Sequence, residues 1–340
     1  MAVSLAAKQL GPKLIHEVAE AMGVDEAWSV EADRRLIWWP GKQAQRIWAG
    51  EPVLDHGVEI SPVHIETDLL QLKPGADELL ALAGGRMAHL ACLSAPIHDA
   101  KKGSLRLHAT VWVHEQNFGT AVLLAKTAAA LQVGEAYGMA EKLAKAIGCD
   151  VAVSAHPKAG VREEADAILG LAGQAFRPHA AKHGPGVDPA EFTKVAELVS
   201  NHWLATADST GLTVEVPFSG DNPAIVSSTL GQSTEVETAL VQADIHQEHP
   251  SLGAGLFMKL TLPVSLAEEE AFSTALAFNL AEAQGGTVGM PLLGAWCAAG
   301  TDLVFVLFCP SLSYRPNLLT YFVMNQGLRA RWAHGQLKRD

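Results

Sequence analysis

The sequence predicts an α+β protein of two related domains, each a twisted antiparallel sheet covered by helices in the order α-β-β-β-α-β-β-α. Three observations predict it. Residues 256–284 run from a strand pattern into a helix pattern: Leu256, Met258, Leu260 and Leu262 alternate with Phe257, Lys259 and Thr261, and Phe272, Leu276, Leu280 and Ala283 then recur at helical spacing. Prolines repeat along the chain, with Pro12 and Pro189 separated by 189 − 12 = 177 residues and Pro40 and Pro217 keeping the same interval. A helix, a short strand, a second strand and a strand-then-helix unit follow in the same order in both halves, the signature of a degenerate tandem repeat.

In the first half, Gly11-Pro12 opens a helix with Leu14, Ile15, Val18 and Met22 on one stripe, since proline at the first helical position sacrifices no hydrogen bond; Gly23 ends it. Strands follow at 36–39 and 63–70. Residues 73–104 read as an insertion, punctuated by Pro74-Gly75, Gly84-Gly85 and Ala95-Pro96. The strand at 105–113 then matches the one at 256–264, and the helix after Asn117, with Ala121, Ala125 and Ala129, matches that of Phe272, Leu276 and Leu280. Helical sequence at 135–146, a strand at 150–154 and a helix near 163–171 complete a first domain spanning 1–176, and 177–187 reads as a linker.

The second domain, 188–340, opens with Asp188 capping a helix that carries Phe192, Val195 and Val199. Strands at 212–216, 236–245 and 256–264 come next. Ser265 and Glu268 form an S-x-x-E capping box, which predicts that the following helix begins there and not a turn later. A strand near 290–297, a turn at Gly300, a strand at 303–309 and a helix at about 317–337 finish the chain. That element order, with LTLPVS and LVFVLFCPSL, resembles the type III secretion chaperone-like fold, including YbjN-like proteins. The resemblance implies two long helices on a twisted antiparallel sheet. Proteins of that family commonly pair as dimers, so it also implies that the tandem copy forms an internal pseudo-dimer, with Trp38 or Trp39 buried where the halves meet.

Composition bounds the function. The net charge of −12 opposes binding to nucleic acid or to an anionic membrane, and no apolar run is long enough to span a bilayer as a helix. The N-terminus lacks a basic region ahead of its apolar part, which predicts a cytoplasmic protein. Cys92, Cys149, Cys297 and Cys309 are far apart without C-x-x-C spacing, and so read as reduced core residues. The G-x-S-x-G, G-x-x-x-x-G-K-[ST] and G-x-G-x-x-G signatures are all missing. No cofactor is implied.

Two groups of residues stand out. Trp38, Trp39 and Trp48 cluster early, and adjacent Trp38 and Trp39 must point to opposite faces of a strand. They are the candidate anchors for a protein or peptide partner. His64, Glu66 and Asp68 share one face of a strand, as do Arg106, His108 and Thr110, an arrangement fit for a divalent metal or an acid–base pair. The solvated face of a half-buried sheet gives the same pattern, and Lys259 and Thr261 repeat it. The expected function is therefore non-catalytic, chaperone-like binding of a protein or peptide, with no catalytic or metal residue assigned. A metal-dependent hydrolase on the His64, Glu66, Asp68 and His108 face is the first alternative; a self-associating structural protein is the second.

Overall fold

The computed structural model describes residues 4–73, 92–218 and 237–338. The protein is α+β and divides into two compact units, residues 1–175 with Asn279–Ala295, and Phe176–Phe278 with Trp296–Asp340. Among the described residues no helix is long and apolar enough to cross a membrane.

In the first unit α1 (Leu5–Met22) is followed by β1 (Ser29–Ala32), β2 (Arg35–Trp38), β3 (Gln45–Ala49), β4 (Val53–Asp55), β5 (Val58–Gln71), β6 (Ala95–Asp99), β7 (Ser104–Val113), α2 (Phe118–Ile147) and β8 (Asp150–Val151). Its sheet runs β1-β2-β3-β5-β7-β6, with β4 and β8 pairing with β5 off that path. One face is covered by α1 and α2, which also pack on each other. Ala121, Ala125 and Ala129 are buried there, so their small side chains serve the core of their own unit. Close approach also requires Gly11, where an added Cβ would stand 2.5 Å from Ala49 Cβ. Beyond the end of β6, the backbone of Thr110 pairs instead with Leu292, at 3.1 and 3.0 Å. The Trp112 indole N–H donates to the Met290 carbonyl at 3.0 Å, which fixes the 279–295 segment to this unit.

The remaining elements are α3 (Leu171–His183), α4 (Ala190–Val199), β9 (Leu204–Ala207), β10 (Gly211–Pro217), β11 (Thr238–Asp244), β12 (Gly255–Ser265), α5 (Glu268–Ala283), β13 (Ala295–Ala299), β14 (Asp302–Pro310) and α6 (Leu318–Leu337). The second sheet runs β9-β10-β11-β12-β14-β13, which is the strand order of the first sheet. Its core is packed by Leu256, Met258 and Leu260 on one strand and Phe305 and Leu307 on the next. Arg329 of α6 lies over the Phe305 ring at 3.9 Å, which places that face beneath the helix.

The repeat is present in a different register from the one the sequence suggests. Shared strand order makes β5 the counterpart of β12, and β7 the counterpart of β14; the strand at 105–113 therefore does not match the one at 256–264. α2 likewise corresponds to α6, which follows β14, and not to α5. A strand-then-helix pattern occurs twice per repeat, and periodicity alone cannot say which copy is which. The counterpart of α5 would fall between β5 and β6, in the segment read as an insertion, of which residues 74–91 lie outside the described residues. Within that segment 95–99 is not loop but the edge strand β6.

Several boundaries also move. α1 begins at Leu5, capped by the Ser4 side chain, so Pro12 sits inside the helix, where its missing N–H leaves the Lys8 carbonyl without its usual partner. The 118–131 and 135–146 segments are one thirty-residue helix, α2. Residues read as a linker are helical to His183, and the chain turns after it at Gly184 and Gly186, both with positive φ. Ser265 pairs with Asp302 at the end of β12, so α5 begins at Glu268 and the Ser265 capping box does not form. The buried stripe of α5 is Ala271, Ala275, Asn279 and Glu282, with Phe278 beside it, one residue round from the expected Phe272, Leu276, Leu280 and Ala283. All four cysteines are buried, and none is in a disulfide.

Candidate functional site

The site lies on the face of the first sheet opposite its helices. Gln45 on β3 and Thr67 on β5 point toward α2, where Gln45 Nε2 donates to the Ala129 carbonyl at 3.0 Å. Alternation then sends Arg46 and Trp48, and His64, Glu66 and Asp68, to the opposite face. Pairing of β3, β5 and β7 places Arg46 beside Glu66 and Glu66 beside His108, and it sets Trp48 beside His64 and His64 beside Thr110.

Two ion-pair groups hold this face. Arg46 grips Asp68 with two parallel bonds, Nη1 to Oδ1 at 2.6 Å and Nη2 to Oδ2 at 2.9 Å. Arg106 bridges Glu66 Oε1 at 2.7 Å and Asp99 Oδ2 at 3.0 Å. His108 Nδ1 lies 3.7 Å from Glu66 Oε2, beyond hydrogen-bond length, so its influence is electrostatic. Burial works to raise the Glu66 carboxyl, and His108 with Arg106 outweighs it, holding the group at about 2. Burial, then the neighbouring His108, pushes the His64 imidazole down to about 3 against the pull of Glu66. Trp48 stacks on His64, with ring centroids 5.0 Å apart and 19° between planes.

Above these groups opens a cleft of about 740 Å³. Arg34, Arg35, Arg46, Lys102 and Arg106 line it against Glu66 and Asp68, together with Trp48, Leu70 and Val153. Arg34 is paired with Glu51, and Lys102 with Asp99. Arg35, exposed on β2, is the lining cation that forms no ion pair among the described residues.

No family model, curated protein or solved structure matches the chain. The site is therefore read from its own geometry.

The sequence-selected residues divide. His64, Glu66 and His108 are brought together as the alternation suggests, while Asp68 is turned to Arg46 and away from the histidines. Trp38 is 0% exposed, and its indole N–H donates to Gln45 Oε1 at 2.9 Å. Trp39 is 4% exposed, bonded to Ser154 Oγ at 3.2 Å and edge-on to His156. β2 ends at Trp38, so Trp39 has already left the strand and is covered by the 150–160 segment of the same unit. Of the three tryptophans only Trp48, half-buried, reaches the cleft.

The corresponding face of the second sheet is mixed. On β14, the counterpart of β7, the residues of the corresponding face are Val304, Val306 and Phe308, all buried. On β10, β11 and β12 the same face carries Glu215, Gln242, Asp244 and Lys259, so outward charge is common to both sheets and β14 is the apolar exception. Sequence reasoning missed Arg34, Arg35, Arg46 and Lys102. The signal was Arg46 and Trp48 alternating in QRIWA, obscured because inward-facing Gln45 breaks the apolar pattern of a short strand.

Proposed function

We propose that the protein is a non-catalytic, chaperone-like binding protein that takes an acidic peptide segment in the cleft on its first sheet. The observation that carries the reading is a cation-rich cleft in a chain of net charge −12, with Arg35, which forms no ion pair among the described residues, at its wall and Trp48 beside it. Unpaired arginine suits a carboxylate, which it can bind with two bonds, and an aromatic wall suits the intervening apolar side chains. Two groups of this face, Glu66 and His64, are poorly poised as general bases. A general base near neutral pH needs a pKa close to the operating pH, and Glu66 at about 2 and His64 at about 3 are far below it. The chaperone-like part rests on the resemblance alone; consistent with it, the second half keeps the order α-β-β-β-α-β-β-α once α3 and β9 are set aside. Four buried thiols, none in a disulfide, support a reducing, cytoplasmic setting.

The test is fluorescence anisotropy with labelled peptides of matched length, glutamate-rich, lysine-rich and neutral. The proposal expects the acidic peptide alone to bind, more weakly as salt rises. Equal binding of all three, or preference for the basic one, overturns it.

A hydrolase on the His64, Glu66, Asp68 and His108 face is the second reading, favoured by the order Glu66 carboxylate, His108 imidazole, Thr110 hydroxyl. Against it, Thr110 is 3% exposed and Asp68 is occupied by Arg46. Turnover of ester or peptide substrates that is lost in His108→Gln would favour it.

A further inference from the structure

On the same sheet face, next to Trp48 and Glu66 of the cleft lining, three donor atoms face one another. His64 Nδ1 is 3.4 Å from His108 Nε2 and 3.2 Å from Thr110 Oγ1, and His108 Nε2 is 3.1 Å from that same oxygen. The nitrogen–nitrogen edge is longer than the usual N–H hydrogen bond of about 2.7–3.2 Å. It matches a different geometry. Two imidazole nitrogens bound at about 2.05 Å to a tetrahedral ion stand about 3.3 Å apart. The near-equal edges form a triangle of the size made by three ligands of such an ion, with the fourth position open.

We propose that His64, His108 and Thr110 form a binding site for one divalent transition-metal ion, with Zn2+ as the ion the donors suit. Imidazole ligands select Zn2+ and its neighbours over Mg2+ or Ca2+, which require oxygen. The surroundings are those of a metal site. Glu66 Oε2 stands 3.7 Å from His108 Nδ1, on the side of the ring away from the triangle. At that distance the carboxylate acts on the ring through its charge and not through a hydrogen bond. The plane of the His64 ring is fixed by stacking on Trp48. The two guanidiniums nearest the triangle are paired, Arg46 with Asp68 and Arg106 with Glu66 and Asp99.

The donor set is small. Among the described residues no three His, Cys, Asp or Glu side chains converge as metal ligands, so the site has two imidazoles and a hydroxyl. It is accordingly weaker than a four-ligand structural zinc site, and its effect is to clasp β5 to β7 beside the cleft. The site is independent of what the cleft binds.

Co2+ serves as the probe because its visible absorption reports coordination geometry. Chelator-treated full-length protein is titrated with Co2+, and Zn2+ is then added in competition. The proposal expects the bands of tetrahedral Co2+ to saturate at one equivalent and to be displaced by Zn2+. His64→Gln and His108→Gln should abolish the bands, Thr110→Val should weaken binding several-fold, and the distant control His246→Gln should leave it unchanged. Absence of saturable tetrahedral bands, or bands that persist in both histidine variants, overturns the proposal. Should a variant fail to fold, the wild-type protein decides alone: imidazole 15N resonances of His64 and His108 must shift on addition of Zn2+, and shifts confined to other histidines overturn it.

Discussion

Replacing Gln45 with leucine, a residue of similar size, tests whether the first sheet is organised from within by one polar network. Gln45 is fully buried; its carbonyl accepts from the Trp38 indole, and its amide donates to Thr67 Oγ1 at 2.9 Å and to the Ala129 carbonyl. Thr67 passes the chain on to Gln132 Oε1 at 3.0 Å, and Gln132 Nε2 returns to the Ile65 carbonyl at 3.3 Å. Leucine strands the Trp38 N–H, at about 1–3 kcal/mol for a buried unsatisfied donor, and removes two further bonds worth about 0.5–1.5 kcal/mol each. Part of that loss is offset by the apolar side chain. The expected net destabilisation is about 2–4 kcal/mol, a fall in Tm of about 5–12 °C for a unit of this size. Urea melts of the full chain measure it. A second substitution, Trp38→Phe, should cost less in the Gln45→Leu background than in the wild type, because phenylalanine has no N–H to strand. Gln45→Leu at wild-type stability, or additive single effects, would refute the network.

Four shorter predictions follow from other parts of the molecule. Arg106→Gln leaves the buried Glu66 carboxylate without its short ion pair and should cost about 3–5 kcal/mol at pH 7, largely recovered by adding Glu66→Gln; an unchanged urea midpoint contradicts this. Gly327→Ala drives a Cβ to within 2.3 Å of Trp203 and should cost about 1–3 kcal/mol, read from the loss of Tm. Burial holds His249 at about 4, below its ordinary 6.5, so the unfolded chain takes up this proton first. Stability from this group is complete above about pH 6.5 and declines by up to about 3 kcal/mol as pH falls toward 4, and His249→Gln should flatten that slope. Burial raises the Cys297 thiol and pushes Cys309 up to about 12, so a thiol reagent should label neither until urea unfolds the chain; rapid labelling of native protein contradicts their burial.

Much of the fold was legible because alternation and helical spacing are local properties. The strands holding Leu105–Val113, Leu256–Leu262 and Leu303–Cys309, and the terminal helix, lie where their patterns place them. What the patterns could not carry was pairing. Matching Leu105–Val113 with Leu256–Val264 was reasonable on periodicity, and only the strand order makes β14 the partner of β7. Short strands were lost for a related reason: four or five residues, such as Ser29–Ala32 or Ala95–Asp99, show too little alternation to stand out from loop. At the site, the shared face of His64, Glu66 and His108 followed from a period of two. Capture of Asp68 by Arg46 did not, since it depends on β3 pairing with β5. Adjacent Trp38 and Trp39 invited a binding role, yet whether an indole is exposed is decided by what folds over it, here Gln45 and the 150–160 segment.

Charge reversal at Arg35 tests the central claim most directly. Arg35 is exposed and forms no ion pair among the described residues, so Arg35→Glu leaves the core and both ion-pair groups intact. Affinity for the glutamate-rich peptide is measured for wild type and variant at low salt, with the melting temperature as a check on folding. The account predicts at least a tenfold loss of affinity with the melting temperature unchanged. Wild-type affinity in a folded Arg35→Glu protein would contradict it and remove the cleft as the binding site.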